Sequence, residues 1–347
     1  MSSKIKTIGF WNYHEGLNAN RMFRDANVSI GDDLLLPIME LGKYLHSRNI
    51  KVATIDMLEP ETIDAYLFID VPNPSNPYVK AAFNSGKPLY LLALESPLVR
   101  PESIDSSKHD RYTKVFTYYD VLVDDRKYIK INYSFSIPQS IPVGMKHKEK
   151  LCVTIAGNKK PRKQGDFTEL YSERLRAIRW FENNHPDDFD LYGFGWGKPQ
   201  LKLSRVLNPF WLLKILRAPY YSTYRGTVER KKPVLAKYKY SLCYENVLDV
   251  PGYITEKIFD CFFAGTVPIY LGAGNISEYI PESCFIDKRN FDSYESLYSF
   301  MTNVTDADYH QYLVNIRDFL VSDKVKVFSC NDFVKVISDN ILLSLKG

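Results

Sequence analysis

Between Tyr238 and Gly272 the chain reads YKYSLCYENVLDVPGYITEKIFDCFFAGTVPIYLG, an order of residues that few folds accommodate. Tyr238, Tyr240, Leu242 and Tyr244 alternate with the two-residue period of a strand, which ends in the polar pair Glu245-Asn246. A strand that closes this way delivers side chains to a crevice. Pro251-Gly252 marks a turn, and Thr255 stands where an N-cap opens a helix running from Glu256 to about Ala264 and stopping at Gly265. Ile258, Phe259, Phe262 and Phe263 give that helix an apolar face. The run that follows, TVPIYLG, has the pattern of a short, buried parallel strand. Strand, helix and parallel strand, with polar groups gathered at one edge, make half of a nucleotide-binding domain.

Glu256 and Lys257 occupy the first turn of the helix, where open backbone N–H groups and the helix dipole favour an anion. Glu256 suits that position by itself. Lys257 suits it only with an anionic partner, such as a nucleotide phosphate. Spacing alone also admits an ordinary βαβ unit in which both side chains are solvated.

The rest of the chain repeats the alternation. Strand patterns run from Lys6 to Trp11, Lys51 to Ile55, Ala65 to Ile69, Pro88 to Leu94 and Lys114 to Tyr119, with a helix from Asp33 to Ser47. Such an order predicts a parallel sheet covered by helices. A Lys-rich stretch with Pro and Gly, Pro142 to Lys150, reads as a linker. The pattern then restarts with a strand from Leu151 to Ala156, a helix from about Glu169 to Asn184 and a strand from Asp190 to Phe194. Two final amphipathic helices, Ala307 to Val321 and Asn331 to Leu345, complete the chain, and one of them is able to cross back to the first domain. At 347 residues there is length for two domains of ordinary size.

Several classes are disfavoured. Hydrophobic residues at 45% and charged residues at 25% are globular values. A net charge of +4, with both signs interspersed, does not argue for nucleic acid. No run reaches the ~18 apolar residues of a spanning helix, and MSSKIKTIGFWNYH leads directly into a strand. These features lead us to expect a cytoplasmic protein. Five cysteines without a CxxC pair fit reduced core thiols better than disulfides or zinc. GFGWGKP at Gly193 to Pro199 fails as a phosphate loop, because Tyr192 takes the place of the first Gly and Pro199 that of Ser/Thr. No GxGxxG follows the first strand, no HExxH occurs, and the Asp188/Asp190 DxD is a weak signal, so no catalytic metal is expected.

The stretch opened above closely resembles the signature of the α1,3/4-fucosyltransferases, glycosyltransferase family ten. In that signature an aromatic strand ends in F-E-N and is followed by Y-I/V-T-E-K, a helix, and an A-G-x-V/I-P-V/I strand closed by Gly. Tyr244-Glu245-Asn246, Tyr253 to Lys257, and Ala264 to Gly272 carry the match. Glu95, in LLALESPLVRP, stands at the end of an apolar strand, and E-S-P resembles the family's acceptor-domain motif, whose Glu is taken as the general base. Phe116 to Asp125 resembles the family's S-Y-R-x-D-S-D strand, with Tyr119 in place of the Arg. Asn158, Arg174, Asp190, Tyr192 and Gly193 match further elements. Arg174 best fits the Arg that would grip the diphosphate, with Arg176 and Arg179 as alternatives.

The resemblance implies an α/β fold of the GT-B type, two Rossmann-like domains facing a central cleft. It places an acceptor-binding domain at 1–147 and a GDP-fucose-binding domain, with the C-terminal helices, at 148–347. It implies an inverting transfer of L-fucose from GDP-β-L-fucose to a glycan, in surface polysaccharide or lipopolysaccharide synthesis, with Glu95 catalytic. Donor binding would fall to Asn158, Arg174, Tyr192, Glu245, Asn246, Tyr253, Thr255, Glu256 and Lys257, with no cofactor and no essential divalent metal. Another nucleotide sugar such as a GDP-dideoxyhexose, or a silent glycan-binding role, are the alternatives. Partners are a nucleotide sugar and a glycan acceptor. The basic and aromatic stretch Leu201 to Arg225 suggests peripheral contact with an anionic membrane on its inner face, against a packed helical insertion.

Overall fold

The computed structural model describes residues 6–12, 14–24, 33–160, 165–197 and 221–346. Its first sheet contains β1 (Lys6–Trp11), β2 (Ile50–Thr54), β3 (Ala65–Ile69), β4 (Leu89–Ala93), β5 (Lys114–Thr117) and β6 (Tyr128–Lys130), in the order β2-β1-β3-β4-β5-β6. The second contains β7 (Lys150–Ile155), β8 (Phe189–Tyr192), β9 (Tyr224–Gly226), β10 (Tyr238–Tyr244), β11 (Val267–Leu271) and β12 (Ile286–Asp287), in the order β12-β11-β10-β7-β8-β9. Every pairing in both sheets is parallel. Burial on both faces explains the unbroken apolar runs: all residues of β3, β4 and β11 are buried. The strands that sequence patterns missed, β6, β9 and β12, are two or three residues long and lie at sheet edges, too short to show a period.

The second sheet has its topological switch point between β7 and β10, where the chain turns from building one side to building the other. In open α/β sheets ligands bind outside the carboxyl ends of strands at such a point. Asn158 follows β7, and Glu245-Asn246 follow β10, so both lie at that crevice. The helix after β10 spans Glu256–Ala264 and ends at Gly265 in the left-handed conformation, as the sequence predicts.

Two crossings bind the domains. Phe135 pairs with Ser329 as an isolated bridge, its N–H donating to the Phe328 carbonyl at 2.8 Å while the Cys330 N–H donates back to its own carbonyl at 3.0 Å. Beyond this point the Cys330–Lys346 helix places Phe333, Val334, Ile337 and Ile341 in the core of the first sheet. The range 148–347 expected for the second domain therefore ends in a helix that packs with the first. The Pro142–Lys150 stretch is packed down, with Lys148 Nζ donating to the Gly265 carbonyl at 2.6 Å. All five cysteines are free and buried.

A polar clasp closes the far side of the interface. Asp120, just after β5, accepts from Lys130 Nζ and from the Tyr279 hydroxyl at 2.6 Å each, and from Asn275 Nδ2 at 2.9 Å. Asn275 in turn accepts from the Gly252 N–H at 3.0 Å. Burial raises the Asp120 carboxyl, but its hydrogen bonds to Lys130, Tyr279 and Asn275 outweigh it and hold the group below the ordinary aspartate value. Gly252 has φ +77°, and a Cβ there would lie 2.2 Å from the Tyr118 carbonyl oxygen. Backbone cannot yield as a side-chain tip can. Gly252→Ala is thus expected to destabilise the protein by roughly 1–3 kcal/mol through strain and a parted interface. Differential scanning calorimetry with an unchanged transition would remove Gly252 from the interface argument.

Candidate active site

Glu245 is fully buried at the carboxyl end of β10. A buried carboxylate is costly unless it is paired and hydrogen-bonded. Three donor groups satisfy it. The Thr255 N–H lies 2.9 Å from Oε1, the Thr255 hydroxyl 2.8 Å from Oε2, and Lys257 Nζ 3.0 Å from Oε2. Thr255 occupies the N-cap position but makes no side-chain cap; its hydroxyl is turned to Glu245 and accepts from Lys257 Nζ at 2.9 Å. Thr255 thus holds the N-cap position that the sequence assigns it, but its hydroxyl donates to the buried carboxylate and its oxygen accepts from Lys257 instead of from a first-turn N–H.

Lys257 also lies 3.6 Å from Glu256, which pairs with Lys231 at 3.9 Å. Burial pulls the Lys257 ammonium down, but Glu245 and Glu256 outweigh it and raise its pKa. Burial likewise pushes Glu256 up, yet Lys257 and Lys231 hold it at about 2. Both first-turn side chains are thus kept charged at the N-terminus of the Glu256–Ala264 helix.

Arg174, on the Tyr171–Asn184 helix, is 5% exposed. Its Nη2 donates to the carbonyls of Tyr244 (2.7 Å) and Glu245 (3.2 Å), fixing the end of β10. Its Nε and Nη1 make no hydrogen bond among the described residues. Arg176 pairs with Glu173 at 2.5 Å and is largely exposed, and Arg179 pairs with Glu182 at 2.6 Å and lies over the Tyr221 ring. Of the three arginines, Arg174 is the one the helix brings to the switch point.

Tyr253 joins this cluster to the first domain. Its hydroxyl is 3.4 Å from Asn246 Nδ2, and its ring packs 5.1 Å from that of Tyr118 and 6.0 Å from that of Tyr133. Burial raises its hydroxyl well above the ordinary value, and the negative charges of Glu245, Glu95 and Glu256 add to the effect. Glu95 is tied to the same ring through Tyr118, whose hydroxyl donates to the Glu95 carbonyl at 3.1 Å. It is half-buried after β4, and its Oε1 accepts from the Ser96 N–H at 2.9 Å.

Other expected residues make their contacts apart from the Glu245 cluster. Asn158 is exposed at the end of β7, donating to the Gly195 carbonyl at 3.0 Å. The Tyr192 hydroxyl is 3.3 Å from that of Tyr238, which donates to Asp190 at 2.6 Å. Tyr238 opens β10, so the Tyr192 side chain runs away from the end of that strand, where Glu245 lies. Asp190 also binds Lys150 at 3.0 Å and Arg225 at 2.6 Å, which makes it a structural hub. Residues 201–220 of the basic aromatic stretch lie outside the described residues, and Arg225 is turned to Asp190. Among the described residues no group of three or more His, Cys, Asp or Glu could hold a metal ion, and no helix is long and apolar enough to cross a membrane. Sequence reasoning passed over Asp70, Tyr118 and Tyr133. Asp70 carried the same signal as Glu95, an acid directly after an apolar strand.

Residues 218–333 match the profile of glycosyltransferase family 10 (fucosyltransferase), C-terminal part. The α-(1,3)-fucosyltransferase FucT of Helicobacter pylori is 35% identical over 68 residues, 20% of this chain and 14% of that protein. The aligned stretch thus spans about a seventh of that relative. Over the whole chain the likeness is one of fold: a crystal structure of an α1,3-fucosyltransferase with GDP-fucose aligns over 98% of this chain and 92% of its own, at a TM-score of 0.52 and 15% identity. Anabaena HepE in complex with UDP and glucose aligns over 97% and 99%, at 0.55 and 12%. The architecture is GT-B, and the resemblance read from Tyr238 to Gly272 is borne out.

Because Glu256 has its carboxyl lowered from 4.5 to about 2, its pairs contribute stability above pH 4.5 that is lost as pH falls toward about 2. Glu256→Gln should therefore lower the urea midpoint at neutral pH and flatten its fall with acid. A mutant that keeps the wild-type acid slope would show that these pairs are not linked to folding.

Proposed function

We propose that this protein transfers L-fucose from GDP-β-L-fucose to a hydroxyl of a glycan acceptor, with inversion at C1. One observation carries the reading: the Y-I-T-E-K segment assembles a Glu245–Thr255–Lys257 cluster at the switch point, and the Tyr253 ring beside it packs on that of Tyr118, whose hydroxyl donates to the Glu95 carbonyl of the facing domain. Fold alone does not choose a nucleotide, since neighbours with GDP-fucose and with UDP and glucose align at similar TM-scores, 0.52 and 0.55. The sequence of the second domain supports GDP-fucose.

In this reading Glu95 accepts the proton of the acceptor hydroxyl as its oxygen bonds to C1 and the C1–O bond to GDP breaks. Negative charge gathers on the departing diphosphate. Lys257, Arg174 through Nε and Nη1, and the first-turn N–H groups of the Glu256–Ala264 helix stabilise it, in the place a divalent metal takes in other transferases. Asn246 and Tyr253 hold the sugar, and Glu256 the ribose. The packed tyrosines between the domains exclude water. A surface polysaccharide or a lipid-linked precursor on the inner membrane face is the proposed acceptor class.

A screen of nucleoside diphosphate release with GDP-fucose, GDP-mannose, UDP-glucose and their acceptors should favour GDP-fucose, with chelation leaving the rate unchanged. Glu95→Gln should lower transfer about 10²–10⁴-fold while leaving GDP affinity unaltered. Wild-type transfer by that mutant would place the base elsewhere. Lys257→Ala removes a charge-assisted hydrogen bond of roughly 1.5–3 kcal/mol and should weaken GDP binding by about tenfold to a hundredfold in titration calorimetry.

A further inference from the structure

We infer that Asp70 is a positioning residue for Glu95, acting with Tyr118 and Tyr133 as a cradle that holds the Leu94–Glu95 backbone; the inference rests on the proposed role of Glu95 as base. Asp70 directly follows β3 and is 2% exposed. Its Oδ1 accepts the N–H of Leu94 at 2.8 Å and that of Glu95 at 2.9 Å. The carbonyls of the same two residues are taken by residues that follow β5 and β6, on the other flank of β4: the Tyr133 hydroxyl donates to Leu94, and the Tyr118 hydroxyl to Glu95 at 3.1 Å. All four main-chain polar groups of Leu94 and Glu95 are thus held by side chains.

This arrangement is not what the sheet requires. β3 and β4 pair as far as Ile69 with Leu92, and the strand ends at Ala93. Asp70 continues the hydrogen bonding two residues past the ladder, at the point where Glu95 leaves it. To do so it adopts φ +57°, a left-handed conformation that Asp and Asn tolerate better than other side chains. Burial raises its carboxyl to about 6, with the two N–H groups pulling the other way, which is the expense of keeping an acid here. The group facing it across this turn with like charge is Glu95, and Arg100 faces it with opposite charge. The two tyrosines of the cradle also pack on Tyr253, Tyr118 tilted and Tyr133 edge-on, so the backbone of Glu95 is referenced to the Glu245 cluster and not only to its own domain.

The test is a double-mutant cycle between positions 70 and 95, read as kcat for transfer from GDP-fucose, with GDP affinity and thermal transition measured beside it. Asp70→Asn keeps the accepting oxygen and the left-handed backbone but loses the charge, and should lower kcat several-fold; Asp70→Ala loses both bonds and should lower it up to about 10²-fold, as a misplacement near 1 Å does. GDP affinity should hold in both. In the Glu95→Gln background each Asp70 substitution should cost no further activity, because a residue that acts through Glu95 has nothing left to position. If Asp70→Ala does not fold, Asp70→Asn carries the cycle alone. Independent losses, multiplying in the double mutant, or a kcat unaffected by both substitutions, would overturn the positioning role while leaving Glu95 as base. Full activity of Glu95→Gln by itself would overturn both.

Discussion

The second domain is organised around one buried charge. Glu245 has no exposure, and the desolvation of a carboxylate must be offset by partners of good geometry. Thr255 and Lys257 are drawn to it from the start of the next helix, and Arg174 seizes the carbonyls beside it. Gly272 has its reason here too: a Cβ at that position would lie 2.5 Å from Glu245 Cγ. The carboxylate thereby determines where β10 ends, where the helix begins and how closely β11 approaches, all within the crevice that the strand order opens.

Across the cleft the corresponding element is a strand end held by side chains. Leu94 and Glu95 are fixed from one side by Asp70 and from the other by Tyr118 and Tyr133, whose rings meet Tyr253. The aromatic cluster of Leu98, Tyr118, Tyr171, Val247, Val250 and Tyr253 draws members from both domains, so apolar packing and polar positioning share the same residues. The Asp120 clasp adds directional hydrogen bonds where that packing ends. Domain closure in this structure is therefore specified by geometry, which area alone would not specify.

Local charge at the donor side is nearly balanced. Lys257, Lys231 and Arg174 stand against Glu245, Glu256 and Asp260. In the proposed transfer, attraction for a diphosphate does not then come from a net positive patch. In that proposal it comes from oriented donors, namely the first-turn N–H groups, the part-exposed Lys257 and the Nε and Nη1 edge of Arg174, held in a setting where little reorganisation is needed.

Much was legible in the chain because parallel strands buried on both faces write themselves as apolar runs. Lys6–Trp11, Ala65–Ile69 and the unit from Tyr238 to Gly272 fall where periodicity and punctuation place them. The polar ends of the Pro88–Leu94 and Tyr238–Tyr244 strand patterns named Glu95 and Glu245 as well. What periodicity could not carry were contacts between residues far apart in sequence. Tyr192 and Asn158 share a neighbourhood of motif with Arg174 but not its contacts, since the Tyr192 hydroxyl meets Tyr238 and Asn158 bonds the Gly195 carbonyl while Arg174 reaches the end of β10. Thr255 has the sequence of a cap and the hydrogen bonds of a buried network partner. Asp70 stands 25 residues from Glu95 along the chain, and only folding brings its carboxylate within 2.9 Å of the N–H it holds. Local sequence determined the elements, their order and the chemistry offered at their ends; tertiary structure alone decided which ends meet, because the burial that makes a charge or a hydrogen bond decisive exists only after distant segments have packed around it.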